Sequence, residues 1–174
     1  MGVIDALLRH GIGGIGLKWP NDLIAADGKL GGILTEAQAG SGGVMTVVTG
    51  VGINVDLGAG LDVEVDDRAA LRVSDLATFA SALPSGDDLA AALIDGLCAT
   101  FLAYESGGFG AFAERWAGVD WLLGREVTVA TAGENRLKGV GAGLADDGAL
   151  LVSAGDGRLH RVTSGTVELG GDSR

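Results

Sequence analysis

The stretch Leu17-Lys18-Trp19-Pro20-Asn21-Asp22, followed by Lys29-Leu30-Gly31-Gly32-Ile33-Leu34-Thr35-Glu36 and then by Gly50-Val51-Gly52-Ile53-Asn54-Val55, decides how the chain reads. Residues 15–19 read as a strand that Pro20-Asn21-Asp22 stops. Lys29–Ala37 and Val44–Val55 read as two more strands, with turn signals at Asp27-Gly28 and Gly40-Ser41-Gly42-Gly43. Three strands joined this way predict an antiparallel meander, and the apolar run Val44–Val48 predicts burial on both faces. Alternation sets Lys18 on the face opposite Leu17 and Trp19. A lone strand lysine is ordinarily solvated. Beside this one, however, Gly31-Gly32 and Gly50-Val51-Gly52 put glycines inside strands, where they weaken the strand and mark close approach by a ligand or another backbone. A floor without side chains next to one cation suits a flat ligand carrying a phosphate or carboxylate. Glycine-rich packing of a twisted sheet explains the same residues equally well.

Outward from this block, the 174 residues are 47% hydrophobic and 20% charged, which excludes a disordered or low-complexity chain. Uninterrupted apolar runs stay below about 18 residues, so no membrane span is expected. The start lacks the basic, apolar and small-residue succession of a secretory leader. Cys98 is the sole cysteine and cannot form an internal disulfide. A soluble, cytoplasmic protein is the resulting expectation. The 32 glycines lack a triplet period, which excludes collagen and implies many turns. Net charge is −11, of which −10 falls in residues 1–123 and −1 in residues 124–174. Without a basic stripe such a chain is a poor general binder of nucleic acid.

Residues 2–9 read as a short helix. The acidic stretch Asp56–Asp88 contains a helix start at Ser74-Asp75, running to Ala82. Asp87 caps a longer helix through about Ser106, with Leu89, Leu93, Leu97, Phe101 and Tyr104 as its apolar stripe, widened by Ile94, Cys98 and Leu102. Cys98 on that stripe reads as core. Phe109–Ala117 reads as one more short helix. From Gly124 the pattern changes to five short strands, Glu126–Thr131, Leu137–Leu144, Leu150–Ala154, Leu159–Val162 and Thr166–Leu169. Turn signals at Ala132-Gly133-Glu134-Asn135, Asp146-Asp147-Gly148 and Gly155-Asp156-Gly157 separate the first four, and the set predicts a small barrel.

Gly11-Ile12-Gly13-Gly14-Ile15-Gly16 matches the dinucleotide fingerprint literally, but a helix precedes it and a strand follows, the reverse of what that fingerprint needs. No P-loop or G-x-S-x-G elbow is present. Two histidines and one cysteine are too few for a structural zinc site of the usual kind, and no metal ligands are assigned.

The motifs Lys-Trp-Pro-Asn-Asp, Lys-Leu-Gly-Gly-Ile-Leu-x-Glu and Gly-x-Gly-Ile-Asn-Val, in this order and spacing, resemble the signatures of biotin protein ligases (biotin–[acetyl-CoA-carboxylase] ligases), and the resemblance runs over the whole chain. It implies an α/β fold of the α+β type. Residues 1–123 would be the C-terminal part of a catalytic domain, a mixed, largely antiparallel sheet with flanking helices. Residues 124–174 would be an SH3-like small β-barrel. The implied reaction has two steps: biotin and Mg2+-ATP give biotinyl-5′-adenylate and pyrophosphate, and a lysine of a biotin carboxyl carrier protein then takes the acyl group. Lys18 matches the family's catalytic lysine, placed at the biotin carboxylate and the α-phosphate. Gly31, Gly32 and Ile33 match the strand lining the biotin pocket. Gly52 and Asn54 match the nucleotide end. Pro20-Asn21-Asp22 shapes the turn that aims Lys18. The family's upstream Ser/Thr-Asn element and Gly-Arg-Gly-Arg-rich loop are not in this sequence. That predicts impaired activity for the chain alone, through a misassigned start, a split ligase needing an N-terminal partner segment, or an inactive remnant. A homodimer is compatible with the same reading. The competing readings are a non-catalytic biotin- or adenylate-binding fragment and a lipoate-type ligase; the first two motifs favour biotin over lipoate.

Overall fold

The computed structural model describes residues 1–58, 71–131 and 136–170. The expected turn at 132–135 and part of the acidic stretch, 59–70, lie outside the described residues, as does the end of the second unit, 171–174. Helix α1 (Gly2–Arg9) buries Val3, Ile4, Ala6 and Leu7. Four antiparallel strands follow in chain order: β1 (Gly16–Lys18), β2 (Asp22–Ala25), β3 (Gly28–Ala39) and β4 (Met45–Ile53). Strand β5 (Arg72–Val73) adds to β3 in parallel. The meander is as expected, with one strand more. β2 begins immediately after the turn at 19–21, and four residues behind a Pro-Asn signal leave no alternation to read. The β2–β3 turn centres on Ala26 and Asp27, both with positive φ, as a tight two-residue hairpin requires.

The apolar run 44–48 is not buried on both faces: Val44, Met45, Val47 and Val48 are all exposed, Met45 by 64%. The reason is the differing lengths of the ladders. β2 pairs with β3 only between Gly28 and Gly32, whereas the β3–β4 ladder continues to Ala39 and Met45. Among the described residues, the outer part of this hairpin is therefore a two-stranded arm with no layer on either face.

Helix α2 (Leu76–Phe79) is capped by Asp75. Helix α3 (Gly86–Gly107) is capped by Ser85, two residues ahead of the expected Asp87, which lies in the first turn. α1 crosses α3 backbone to backbone. A Cβ on Gly2 would lie 2.2 Å from the Gly96 carbonyl oxygen, so only glycines permit this approach. The crossing buries Leu89, Ala92 and Gly96, while Ile94, Phe101, Leu102 and Tyr104 stay exposed. The expected stripe is thus buried at one end only, and Cys98 is exposed, which corrects its reading as core. The segment 86–111 also passes, by length and composition, as long and apolar enough to cross a membrane, contrary to the count of uninterrupted runs. The last helical part is a 3-10 turn at Gly108–Ala111 followed by α4 (Ala113–Ala117).

A second five-stranded antiparallel sheet is formed by β6 (Glu126–Ala130), β7 (Arg136–Leu144), β8 (Leu150–Ala154), β9 (Leu159–Val162) and β10 (Thr166–Leu169), in the order β10-β6-β7-β8-β9. The five expected strands are present, but the expected barrel is not closed. Both outermost strands have only four residues, and among the described residues no ladder joins them. One hydrophobic cluster centres on α1 and the first sheet, through Leu7, Leu17, Leu23 and Leu30. A second gathers Leu122, Val127, Val129, Leu150, Val152, Val162 and Val167, and it includes Trp19 from the first sheet's own motif.

Candidate functional site

The register of the first sheet determines what meets what. Lys18 stands opposite Asp22, Asp22 opposite Gly32, and Gly32 opposite Gly52, so these four residues form one row across four strands on one face. The adjacent row, Leu17–Leu23–Gly31–Ile53, points the other way, into the first core. The alternation read from the sequence therefore holds, and the cation shares its face with two glycines.

Those glycines differ in what they accommodate. A Cβ on Gly31 would stand 2.0 Å from the Gly52 carbonyl oxygen, so its neighbour strand alone requires glycine there. A Cβ on Gly52 or Gly50 would meet nothing within 4 Å, and one on Gly32 only ordinary contacts. The side-chain-free floor is thus Gly32, Gly50 and Gly52, without Gly31.

Lys18 is 4% exposed. Its Nζ lies 3.3 Å from Asp22 Oδ2, and Asp22 Oδ1 lies 2.8 Å from Lys29 Nζ. Burying an ammonium without a partner is costly, and Asp22 provides that partner. Sequence reasoning assigned Asp22 to the turn; its ion pairs are an addition, since they follow from register. Lys18 and Asp22 line a cleft of about 340 Å3 whose other walls include Leu17, Ile33, Leu34 and Trp116. Trp116 was not anticipated, and nothing in its local sequence points to the cleft. Of the expected binding residues, Ile33 reaches this cleft; Gly31, Gly32, Gly52 and Asn54 do not line it.

Asn54 is anchored elsewhere. Its Nδ2 donates to Ser74 O at 3.0 Å and to Lys29 O at 3.4 Å. Next to it, Asp75 accepts from the Thr78 hydroxyl at 2.6 Å and from the Leu57 and Thr78 amides. The Thr78 hydroxyl, helped by these amides, holds the Asp75 carboxyl below its ordinary value. Its contribution to stability is present above the ordinary carboxylate pKa and is lost as pH falls through the lowered folded value.

The strand carrying Lys18 is also clamped from behind. The Leu17 amide donates to Val119 O at 2.7 Å, and the Trp121 amide donates back to Leu17 O at 2.9 Å. Trp19 Nε1 donates to Gly148 O at 3.1 Å across 129 positions of sequence. Asp120, bridged to Leu17, has its carboxyl raised above the ordinary 3.8 by burial, with the Leu122 amide acting against this. Between 3.8 and the raised value the folded chain binds more protons than the unfolded chain, so this group's contribution to stability falls as pH rises through that window. Asp120→Asn is therefore expected to raise Tm by a few degrees at neutral pH and to lose that advantage below the window. Melting curves at pH 3 and pH 7 check this; a lower Tm at pH 7 would show that the carboxylate is needed there.

A larger groove of about 770 Å3 runs over the second sheet past Glu126, Arg136, Lys138 and Glu168. Its Arg136 is already paired with Glu168. The cleft at Lys18 is the place where a buried cation adjoins apolar walls.

Known proteins resemble the chain in sequence and in fold. Residues 1–54 match the biotin/lipoate A/B protein ligase family, and residues 122–170 match the biotin protein ligase C-terminal domain. The Escherichia coli bifunctional ligase/repressor BirA is 29% identical over 165 residues, covering 95% of this chain and 49% of that protein. The biotin–[acetyl-CoA-carboxylase] ligase of Mycobacterium tuberculosis is 32% identical over 152 residues, covering 87% of this chain and 52% of that protein. The chain thus spans about half the length of the curated relatives it matches. Among solved structures, an apo biotin protein ligase from Aquifex aeolicus superposes with a TM-score of 0.78 at 21% identity, covering 97% of this chain and 72% of that one. The same enzyme in complex with biotin and ATP gives 0.76 at 24% identity, covering 97% and 67%. These superpositions fix the fold.

Proposed function

Since the chain belongs to the biotin protein ligase family, we propose that it carries the Lys18 side of a site that activates biotin with ATP and passes the biotinyl group to a biotin carboxyl carrier protein. The observation that carries this reading is the buried Lys18 on the wall of a largely apolar cleft of about 340 Å3. In the first step a biotin carboxylate oxygen attacks the α-phosphorus of ATP, the bond to the bridging oxygen breaks, and pyrophosphate leaves. In the second, the carrier lysine amine attacks the acyl carbon, AMP leaves, and the amine loses a proton. Negative charge gathers at the same carboxylate and phosphate oxygens in both steps, so one fixed ammonium stabilises both. Lys18 is that group. Ile33 forms the biotin side, on the strand whose Gly31 allows the close approach of its neighbour. Gly52 and Asn54 mark the nucleotide end, where the open surface at Gly52 admits a flat base and Asn54 keeps the strand end in place. Mg2+ enters as the ATP complex. We assign residues 1–123 to the catalytic part and 124–174 to a unit that supports it without binding biotin, and place the protein in solution in the cytoplasm.

Pyrophosphate release with biotin and ATP tests the reading, with lipoate as competing substrate. Because the relatives are about twice as long, the chain is assayed alone and together with the N-terminal region of an intact relative. Turnover with biotin in either sample, and less with lipoate, is the expected result. Binding of biotinyl-adenylate without turnover in both samples would turn the reading into that of a binding fragment.

A further inference from the structure

We infer that Gly148, in the turn between β7 and β8, is a positioning residue through which the second sheet sets two walls of the cleft, at Lys18 and at Trp116; the inference rests on the ligase reading above. The turn lies outside the cleft, yet two contacts lead from this one glycine toward it. The Gly148 carbonyl accepts from Trp19 Nε1 at 3.1 Å, and Trp19 follows Lys18 directly in the chain. The Gly148 Cα faces the ring of Phe109: a Cβ added there would stand 3.5 Å from Phe109 Cδ2. Phe109 in turn meets Trp116 edge to face, with ring centroids 6.2 Å apart and planes at 63°.

The turn is built to hold this residue in place. The Gly148 amide donates to Ala145 O and the Ala145 amide to Ala149 O, each at 2.8 Å. Asp147 accepts from the Ala149 amide at 3.2 Å and pairs with Arg161 of β9. Gly148 has φ +84°, and this conformation is what asks for glycine, since an added Cβ would make only ordinary contacts. Trp19 belongs to the second hydrophobic cluster, and Trp116 packs against both clusters. Close-packed interiors transmit a displacement, so a shift of the turn reaches both tryptophans. The two routes end differently. Trp19 leads to the cation at the reacting oxygens, whereas Phe109 leads to an apolar wall that acts on binding.

The first test is fluorine NMR of the chain labelled with 5-fluorotryptophan, whose three tryptophans are assigned by single Trp→Phe variants. Gly148→Ala strains the turn and is expected to move the Trp19 and Trp116 resonances more than that of Trp121, which stacks with Arg125. Gly148→Asn is expected to move them less, because asparagine tolerates positive φ. An unmoved Trp116 resonance in Gly148→Ala overturns the inference, as does an equal shift of all three, the mark of general loosening. The second test is pyrophosphate release by the chain supplied with the N-terminal region used above. Trp19→Phe is expected to lower the saturated rate about fivefold at an unchanged KM for biotin, and Phe109→Leu to raise that KM about fivefold at an unchanged saturated rate. Gly148→Ala is expected to do both. A merely structural turn lowers the denaturant midpoint and leaves both constants, per folded molecule, at the parent values; that result overturns the inference. If Gly148→Ala does not fold, the split between Trp19→Phe and Phe109→Leu decides. A parent without turnover removes the ligase reading, and the tryptophan resonances then decide whether the turn sets the walls. A parent that turns over, with every variant at its values, removes the inference alone.

Discussion

Replacing Lys18 by alanine is expected to slow biotinyl-adenylate formation by roughly a hundredfold or more, the usual cost of removing one preorganised charge donor from a reacting oxyanion. The loss belongs in the chemical step more than in biotin affinity, because the apolar walls of the cleft at Leu17, Ile33 and Trp116 remain. The fold is expected to survive the change. Asp22 keeps its ion pair with Lys29, so no buried carboxylate is stranded. Single-turnover pyrophosphate release, with circular dichroism as the control for folding, separates these effects. A rate within a few-fold of the parent would remove Lys18 from the mechanism.

Trp19→Ala is expected to have the largest effect on stability, about 3–5 kcal/mol, as for other large aromatic side chains cut back in a core. Trp19 leaves the strand of Lys18 and enters the second core among Leu122, Val127, Leu150, Val152 and Val167. The truncation opens a cavity there and leaves the Gly148 carbonyl without its indole donor. Trp19→Phe keeps most of the volume and loses the hydrogen bond, so a cost nearer about 1–2 kcal/mol follows. Denaturant midpoints measure both. A loss below about 1 kcal/mol for the alanine variant would mean that the second sheet closes over the gap.

The sequence made most of the first sheet legible because its two long strands are glycine-marked and separated by strong turn signals. The row Lys18–Asp22–Gly32–Gly52 was legible only in part. Alternation gives the face of Lys18, but its partner depends on register, and register was hidden by a β2 too short to recognise. The arm at 44–48 was misread for a tertiary reason: an apolar run predicts burial only where another layer is present, and β2 stops short of it. Cys98 and the far end of α3 were misread in the same way, since helical spacing defines a stripe without fixing how much of it α1 covers. Trp19 in the second core and Trp116 on the cleft wall are contacts across about a hundred residues of sequence, which no local pattern encodes. Closure of the second sheet likewise depends on its two end strands meeting, and strand spacing says nothing of that.

The bare arm of β3 and β4 sets how the chain behaves at high concentration. Leu34, Val44, Met45 and Val48 lie together on a hairpin whose outer strand, among the described residues, has backbone pairing on one side only. Such an edge is a template for another chain. What opposes self-pairing is long-range repulsion between molecules carrying −11 each, most of it on the same half as the arm. That repulsion weakens as the pH approaches the isoelectric point near 4.4, and it shortens in reach to about 8 Å at physiological ionic strength. The colloidal state of this protein is thus governed by acidity and salt, through an arm that touches the Lys18 cleft only at its base, at Leu34 and Thr35.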